Sequence, residues 1–315
     1  MAELATSGEA TERPDSTKHK GVLMRAAAAT AVVVAVFLIA IKAVAFAVSG
    51  SVAVLGSLVD STLDAFASVV NLFAVRHSLE PADKEHRFGH GKVEALAGLG
   101  QSAFISGSAA ILLFESASRF WRPVEVESGL FAIGVIVVAT ACTLGLVLFQ
   151  RYVVQKTGSL AINADSLHYK GDLLMNISVI VALILTTQFN VGLIDAIFGV
   201  GIAFYILWSA IRIFRNAYDQ LMDRELADED RDKIKSLALA HGSVRNLHDL
   251  RTRASGLQVF IQMHLELDPN ISLLEAHTIS DEVERSIQQA FPDAEILIHQ
   301  DPAGHEEPLS SLARS

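Results

Sequence analysis

The chain has 315 residues, 51% of them hydrophobic and 19% charged, with a mean hydropathy of +0.39; this excludes an ordinary soluble domain and points to a polytopic membrane protein. The formal net charge is −10, but from Phe214 onward there are 19 Asp and Glu against 10 Lys and Arg, so the acidity lies in the C-terminal third. An acidic tail excludes nucleic acid as a partner and suits a cation-handling surface, while a single cysteine, Cys142, excludes an intrachain disulfide scaffold.

Residues 1–21 are polar, of mixed charge and rich in Ser, Thr, Glu and Lys, which predicts a disordered N-terminus. The apolar run Ala26–Val48 is long enough to span a bilayer and too long for the apolar core of a signal peptide. Six apolar segments follow one another at 23–48, 55–77, 92–119, 129–151, 160–187 and 191–213, so that 22–213 reads as a six-helix transmembrane domain. The third and sixth segments carry small residues, among them Gly98, Gly100, Gly107, Gly199 and Gly201, which permit close helix contact within the chain or between copies.

Basic residues fix the orientation. Arg13, Lys18, Lys20, Arg25, Arg76, Lys84, Arg87, Lys92, Arg151, Lys156, Arg212 and Arg215 fall on one side, and only Arg119 and Arg122 on the other. Both termini are therefore expected in the cytoplasm. Lys42 falls late in the first span and is expected to snorkel to the outer surface.

The second and fifth segments are weakened by charge. Asp60 and Asp64 are four apart in one, His168 and Asp172 four apart in the other, and that spacing puts each pair on one helix face. Ionisable groups at membrane depth are expensive and mark an ion path or proton relay. Three carboxylates and an imidazole compose a four-ligand site for a divalent cation; the mixed N and O donors favour zinc, cadmium or ferrous iron over magnesium or calcium. Free imidazole titrates near pH ~6.5, so the same site is suited to exchanging a metal for protons. The cytoplasmic loop Pro81–Lys92 adds Asp83, His86 and His90, spaced to grip one more ion at a helix entrance.

Residues 214–303 read as a separate soluble domain and 304–315 as a disordered end. A helix is expected over Ala227–Ala240, strands over Asn246–Arg253 and Leu257–Leu267, a long helix from a Ser272/Glu275 capping box to Ala290, and a last strand over Ala294–His299. The order αββαβ predicts a small α+β sandwich. This domain holds six of the eleven histidines. His248, His264, His277, His299 and Asp301 are candidates to gather at one edge around metal; His241 and His305 read as surface residues.

Together these motifs closely resemble the cation diffusion facilitator family, in its bacterial zinc/ferrous-iron efflux branch. The resemblance rests on Leu58-Val59-Asp60 through Asp64, Phe88-Gly89-His90-Gly91-Lys92 in its loop, Leu167-His168-Tyr169 through Asp172, His248-Asp249-Leu250-Arg251 and Ile298-His299-Gln300-Asp301-Pro302, and spans about 22–303. It implies a homodimer of six-span subunits in the bacterial inner membrane, a ferredoxin-like cytoplasmic domain and metal–proton antiport by alternating access. It implies that Asp60, Asp64, His168 and Asp172 are the transport site, Asp83, His86 and His90 the loop site, and the five tail residues a metal cluster at the dimer interface. It further implies that Lys92 and Asp223 form a charged interlock of the dimer. Histidine at 168, where manganese-type relatives carry Asp, favours zinc and cadmium as cargo. No organic cofactor is implied, and the chain is read as a secondary transporter rather than an enzyme; no HExxH pattern occurs. The alternative is a membrane-anchored metal sensor or buffer without transport.

Overall fold

The structure, a computed structural model, describes residues 15–49, 52–118, 130–189 and 193–304. Among the described residues, 21–222 form one compact unit, and 15–20 together with 223–304 form another. The first unit is helical: α1 (Asp15–Ser49), α2 (Val52–Ser78), α3 (Lys92–Ser118), α4 (Leu130–Thr157), α5 (Leu160–Phe189) and α6 (Leu193–Leu221). Among the described residues, α1, α2, α3, α4 and α6 are long and apolar enough to cross a membrane. The sixth long helix, α5, carries Asp165, His168, Lys170 and Asp172 in its first half.

Five of these helices outrun the apolar segments read from the sequence, α2 by three residues at its start and one at its end. α1 begins at Asp15, inside the stretch expected to be disordered, and the preceding residues lie outside the described part. α4 runs to Thr157 and α6 to Leu221, because helical hydrogen bonding continues where hydrophobicity stops. α5 extends to Phe189.

The α4–α5 corner is set locally. Gly158 has φ +70°, and its N–H donates to the Val154 carbonyl (2.8 Å), a left-handed stop that a residue with a Cβ adopts only under strain. Ser159 Oγ then accepts from the Ile162 N–H (3.2 Å), and the buried Glu94 of α3 accepts from the Ala161 N–H (3.3 Å). An acidic group at a helix N-terminus satisfies free N–H donors and complements the dipole, so Glu94 pins the start of α5 to α3.

α3 and α6 pack against each other along most of their length. A Cβ added at Gly98 would lie 3.7 Å from Ala217 Cβ, and one added at Gly199 would sit on Ser116 Oγ and 3.0 Å from its Cβ. Small residues thus hold both ends of this contact within the chain, while Gly100, Gly107 and Gly201 face open space. Gly199→Ala is expected to destabilise the membrane unit by about 1–3 kcal/mol through overpacking, read as a lower midpoint in a thermal aggregation assay in detergent. Gly201→Ala should leave that midpoint unchanged, and equal shifts for both would refute the packing account.

The second unit holds α7 (Asp228–Leu239), β1 (Asn246–Ser255), β2 (Gln258–Leu267), α8 (Leu273–Ala290) and β3 (Ala294–Pro302), the αββαβ order expected. The sheet order is β1-β2-β3, with β1 antiparallel and β3 parallel to β2. The Ser272/Glu275 capping box forms as read. Strand alternation decides which face is covered. Ile261, Met263 and Leu265 of β2 turn to a core with Ile234 of α7 and Val283 and Ile287 of α8. Gln262, His264 and Glu266 face the other way, on a side that neither helix covers.

Candidate functional site

His168 and Asp64 meet from α5 and α2: His168 Nε2 lies 2.9 Å from Asp64 Oδ1 and 3.9 Å from Asp172 Oδ2 one turn along its own helix. Donor atoms of Asp64, His168 and Asp172 fall within 4.8 Å of one another. Asp60 is not in that triad; it lines, with Asp64 and Asp172, an adjoining cavity of about 250 Å³. Three of the four residues read from the sequence are therefore gathered, and the fourth stands one turn away across a space large enough for an ion with water.

Several neighbours of this site were not foreseen. Lys42 of α1 does not snorkel outward. Its ammonium donates to the Ser57 carbonyl (3.2 Å) and Ser61 Oγ (2.6 Å), and it lines the same cavity as the carboxylates. A cation at membrane depth is better held by three nearby carboxylates than by hydrocarbon, which is the physical reason for the inward turn. Asp165, three residues before His168, is completely buried; it accepts from Gln150 of α4 (2.6 Å) and Gln101 of α3 (3.4 Å). Tyr169 shares a hydrogen bond with Ser68 of α2 (2.8 Å), and its hydroxyl donates to the Ala31 carbonyl of α1 (3.5 Å). These flanking bonds fix the rotation of α5 and hence the direction in which His168 points. The edge of Phe104 meets the imidazole with ring centroids 5.9 Å apart.

The loop brings together Asp83, His86 and His90 as expected. Asp83 Oδ1 accepts from the N–H groups of His86 (2.5 Å) and Glu85 (2.9 Å). The His86 N–H, more than any other neighbour, holds the Asp83 carboxyl below the usual carboxylate range, so it stays anionic and available as a ligand. Asp83 lies 3.3 Å from His86 Nδ1 and 3.4 Å from His90 Nε2. Gly89, with φ +74°, turns the chain so that both imidazoles face the one carboxylate.

In the C-terminal unit, strand register aligns His248, His264 and His299 as cross-strand neighbours on β1, β2 and β3. They form a row across the open sheet face rather than a cluster at its edge. Asp301 is the hub, only 5% exposed. Its Oδ2 is 2.8 Å from His264 Nδ1 and 3.4 Å from His248 Nε2, and its Oδ1 is 3.1 Å from His299 Nε2. A bulge after His248, with Asp249 at φ +47°, brings the Asp249 carboxylate to 3.9 Å from His264 Nε2. His277 is not brought into this row. It lies on α8, which packs on the opposite sheet face, and faces Asp281 one turn on (3.6 Å). Lys92 donates to the Leu221 carbonyl (3.4 Å), and Asp223 accepts from Arg253 (3.3 Å).

Comparison with known proteins gives a consistent pattern. Residues 28–222 match the cation efflux transmembrane domain family, and residues 226–303 match the cation efflux protein cytoplasmic domain family. The cation-efflux pump FieF of Klebsiella pneumoniae is 46% identical over 283 residues, 90% of this chain and 94% of that protein. The protein of the same name from Salmonella newport is 46% identical over 282 residues, with the same coverage. Among solved structures, the metal-bound C-terminal domain of the CzcD transporter from Thermotoga maritima is 29% identical, covers 25% of this chain and 93% of its own, and has a TM-score of 0.24.

Proposed function

The chain belongs to the cation efflux family and exports divalent metal cations across a membrane, and from that premise we propose that it exchanges zinc-like ions for protons at Asp60, Asp64, His168 and Asp172. One observation carries the assignment of the site: Asp64 and His168, 104 positions apart in the chain, meet at 2.9 Å beside a polar cavity between apolar helices. Two carboxylates and an imidazole within bonding reach of one point suit tetrahedral coordination of zinc, cadmium or ferrous iron, and Asp60 across the cavity completes four ligands. Ligands must shed protons to take the metal and regain them when it leaves, so a site open to each side in turn couples the two flows.

In this reading all six long helices span the bacterial inner membrane, with both termini cytoplasmic. The flanking basic residues support that orientation. The loop triad Asp83, His86 and His90 holds an ion at the cytoplasmic ends of α2 and α3. The His248, His264, His299 and Asp301 row holds regulatory metal in a homodimer, its donor set of three imidazoles and a carboxylate being suited to zinc. His277 joins such a cluster only through a second copy of the chain, since α8 lies on the far face of its own sheet. Lys92 and Asp223 are proposed as the charged interlock of that dimer.

Proteoliposomes test the coupling. An acidic lumen is expected to speed uptake of external zinc several-fold, because protons leaving the lumen drive zinc in. A protonophore that collapses the gradient should return the rate to its basal value. Lowering the external pH at zero gradient is expected to slow uptake, since protons then compete for the ligands on the loading side. Zinc flux indifferent to both manipulations would remove protons from the mechanism and leave facilitated metal diffusion.

A further inference from the structure

His77 and Glu80 have no part in the sites above. His77 lies at the end of α2, and Glu80 follows in the turn, its N–H donating to the His77 carbonyl (3.0 Å). Their side chains meet, His77 Nδ1 to Glu80 Oε2, at 2.7 Å. The His90 ring stands 4.6 Å from that of His77 and equally 4.6 Å from that of His86. One donor atom each from His77, Glu80 and His90 falls within 4.8 Å, the same closeness reached by Asp83, His86 and His90.

The two sets have the same chemistry, two imidazoles and one carboxylate. Zinc bound tetrahedrally at about 2.0–2.2 Å holds its N and O donors about 3.3–3.6 Å apart, so modest rotamer changes close either set. His77, Glu80, Asp83 and His86 are exposed side chains at the surface of the loop and helix end. His90 is the fixed member: it is 8% exposed, and its buried Nδ1 has no hydrogen-bond partner among the described residues. A buried ring nitrogen without a partner is costly and points to a ligand that the protein expects. His77 and Glu80 also flank the C-terminal end of α2, where the helix dipole favours a cation.

We propose that the loop holds one divalent ion in either of two ligand sets that pivot on His90: Asp83–His86–His90 and His77–Glu80–His90. An ion that changes sets keeps its bond to His90 throughout and need not return to bulk water. One member of the second set, His77, lies on the helix that carries Asp60 and Asp64.

The proposal rests on the reading of the loop as a metal site, and the test separates the two. Bound zinc per protomer is counted at one buffered free zinc concentration, using the full chain in detergent, with wild type as the baseline. D83A/H86A is expected to keep the wild-type count, because His77, Glu80 and His90 remain. H77A/E80Q is expected to keep it through the other set. The quadruple variant should lose one ion per protomer. If D83A/H86A alone already loses that ion, the loop reading stands and the pivot is overturned. If both doubles lose it, the five side chains act as a single cluster, which also overturns the pivot. If the quadruple variant keeps the full count, the loop binds no metal and both readings fail. Monodisperse dimer elution and an unchanged circular dichroism spectrum establish that each counted variant is folded.

Discussion

Asp64→Ala is expected to lower zinc transport in proteoliposomes by at least about a hundredfold and to leave zinc binding by the C-terminal unit unchanged. Loss of a residue that merely orients a metal ligand costs ~10–100-fold in affinity, and Asp64 is proposed as a ligand itself. It is also the carboxylate nearest to His168, at 2.9 Å, whereas Asp172 stands at 3.9 Å. Without it, the triad keeps one imidazole and one carboxylate, both on α5, and from α2 only Asp60, across the cavity, remains. A protein that only sensed or buffered metal through its tail would be indifferent to this change. Transport rates within a few-fold of wild type in Asp64→Ala would therefore overturn the transport-site assignment. Asp60→Ala supplies a graded comparison: Asp60 lines the cavity but lies outside the triad, so its loss should slow transport less than the loss of Asp64.

Much of this site was visible in the one-dimensional pattern, and the reason is energetic. Carboxylates inside apolar helices are so costly that their i,i+4 spacing is a strong signal without any structure. Asp165 gave the same signal, three residues before His168, yet it belongs to the packing. Its two glutamine partners lie on α3 and α4, and no local rule links those positions to α5. Lys42 was read by its depth along the sequence, which says where a side chain starts but not which way it turns. In the C-terminal unit, strand alternation sets His264 on the face opposite Ile261, Met263 and Leu265. Only the cross-strand register could show that His248, His264 and His299 stand side by side, and that α8 carries His277 to the far face. Helix ends were misjudged for a simpler reason: α1, α4 and α6 continue past the apolar stretch, where periodicity and hydropathy stop reporting the same thing.

Asp301→Ala is expected to weaken zinc binding by the tail by at least about a hundredfold and to abolish metal-dependent activation of transport. Asp301 is the one carboxylate within 3.4 Å of all three imidazoles in the row, and it is buried among them. Its removal leaves three neutral donors with no anion to offset a divalent charge, apart from Glu266 and Asp249 at the margins of the row. The fold should survive, because the core of this unit is built on the opposite sheet face from Ile234, Met263, Leu265, Val283 and Ile287. Ligand linkage turns this into a measurable difference. At free zinc equal to a hundred times the wild-type Kd, the ion stabilises the folded state by about 2.7 kcal/mol; a hundredfold weaker site leaves about 0.4 kcal/mol. The zinc-induced rise in the unfolding midpoint of this unit should therefore nearly vanish in Asp301→Ala, with the metal-free midpoint little changed. Activation follows the same logic, since an ion biases two arrangements of the subunits only through its difference in affinity for them. The full chain should keep its basal transport at saturating zinc and lose the extra steepness at low zinc. If Asp301→Ala and His264→Ala both retain zinc activation, the row on the open sheet face is not the sensor.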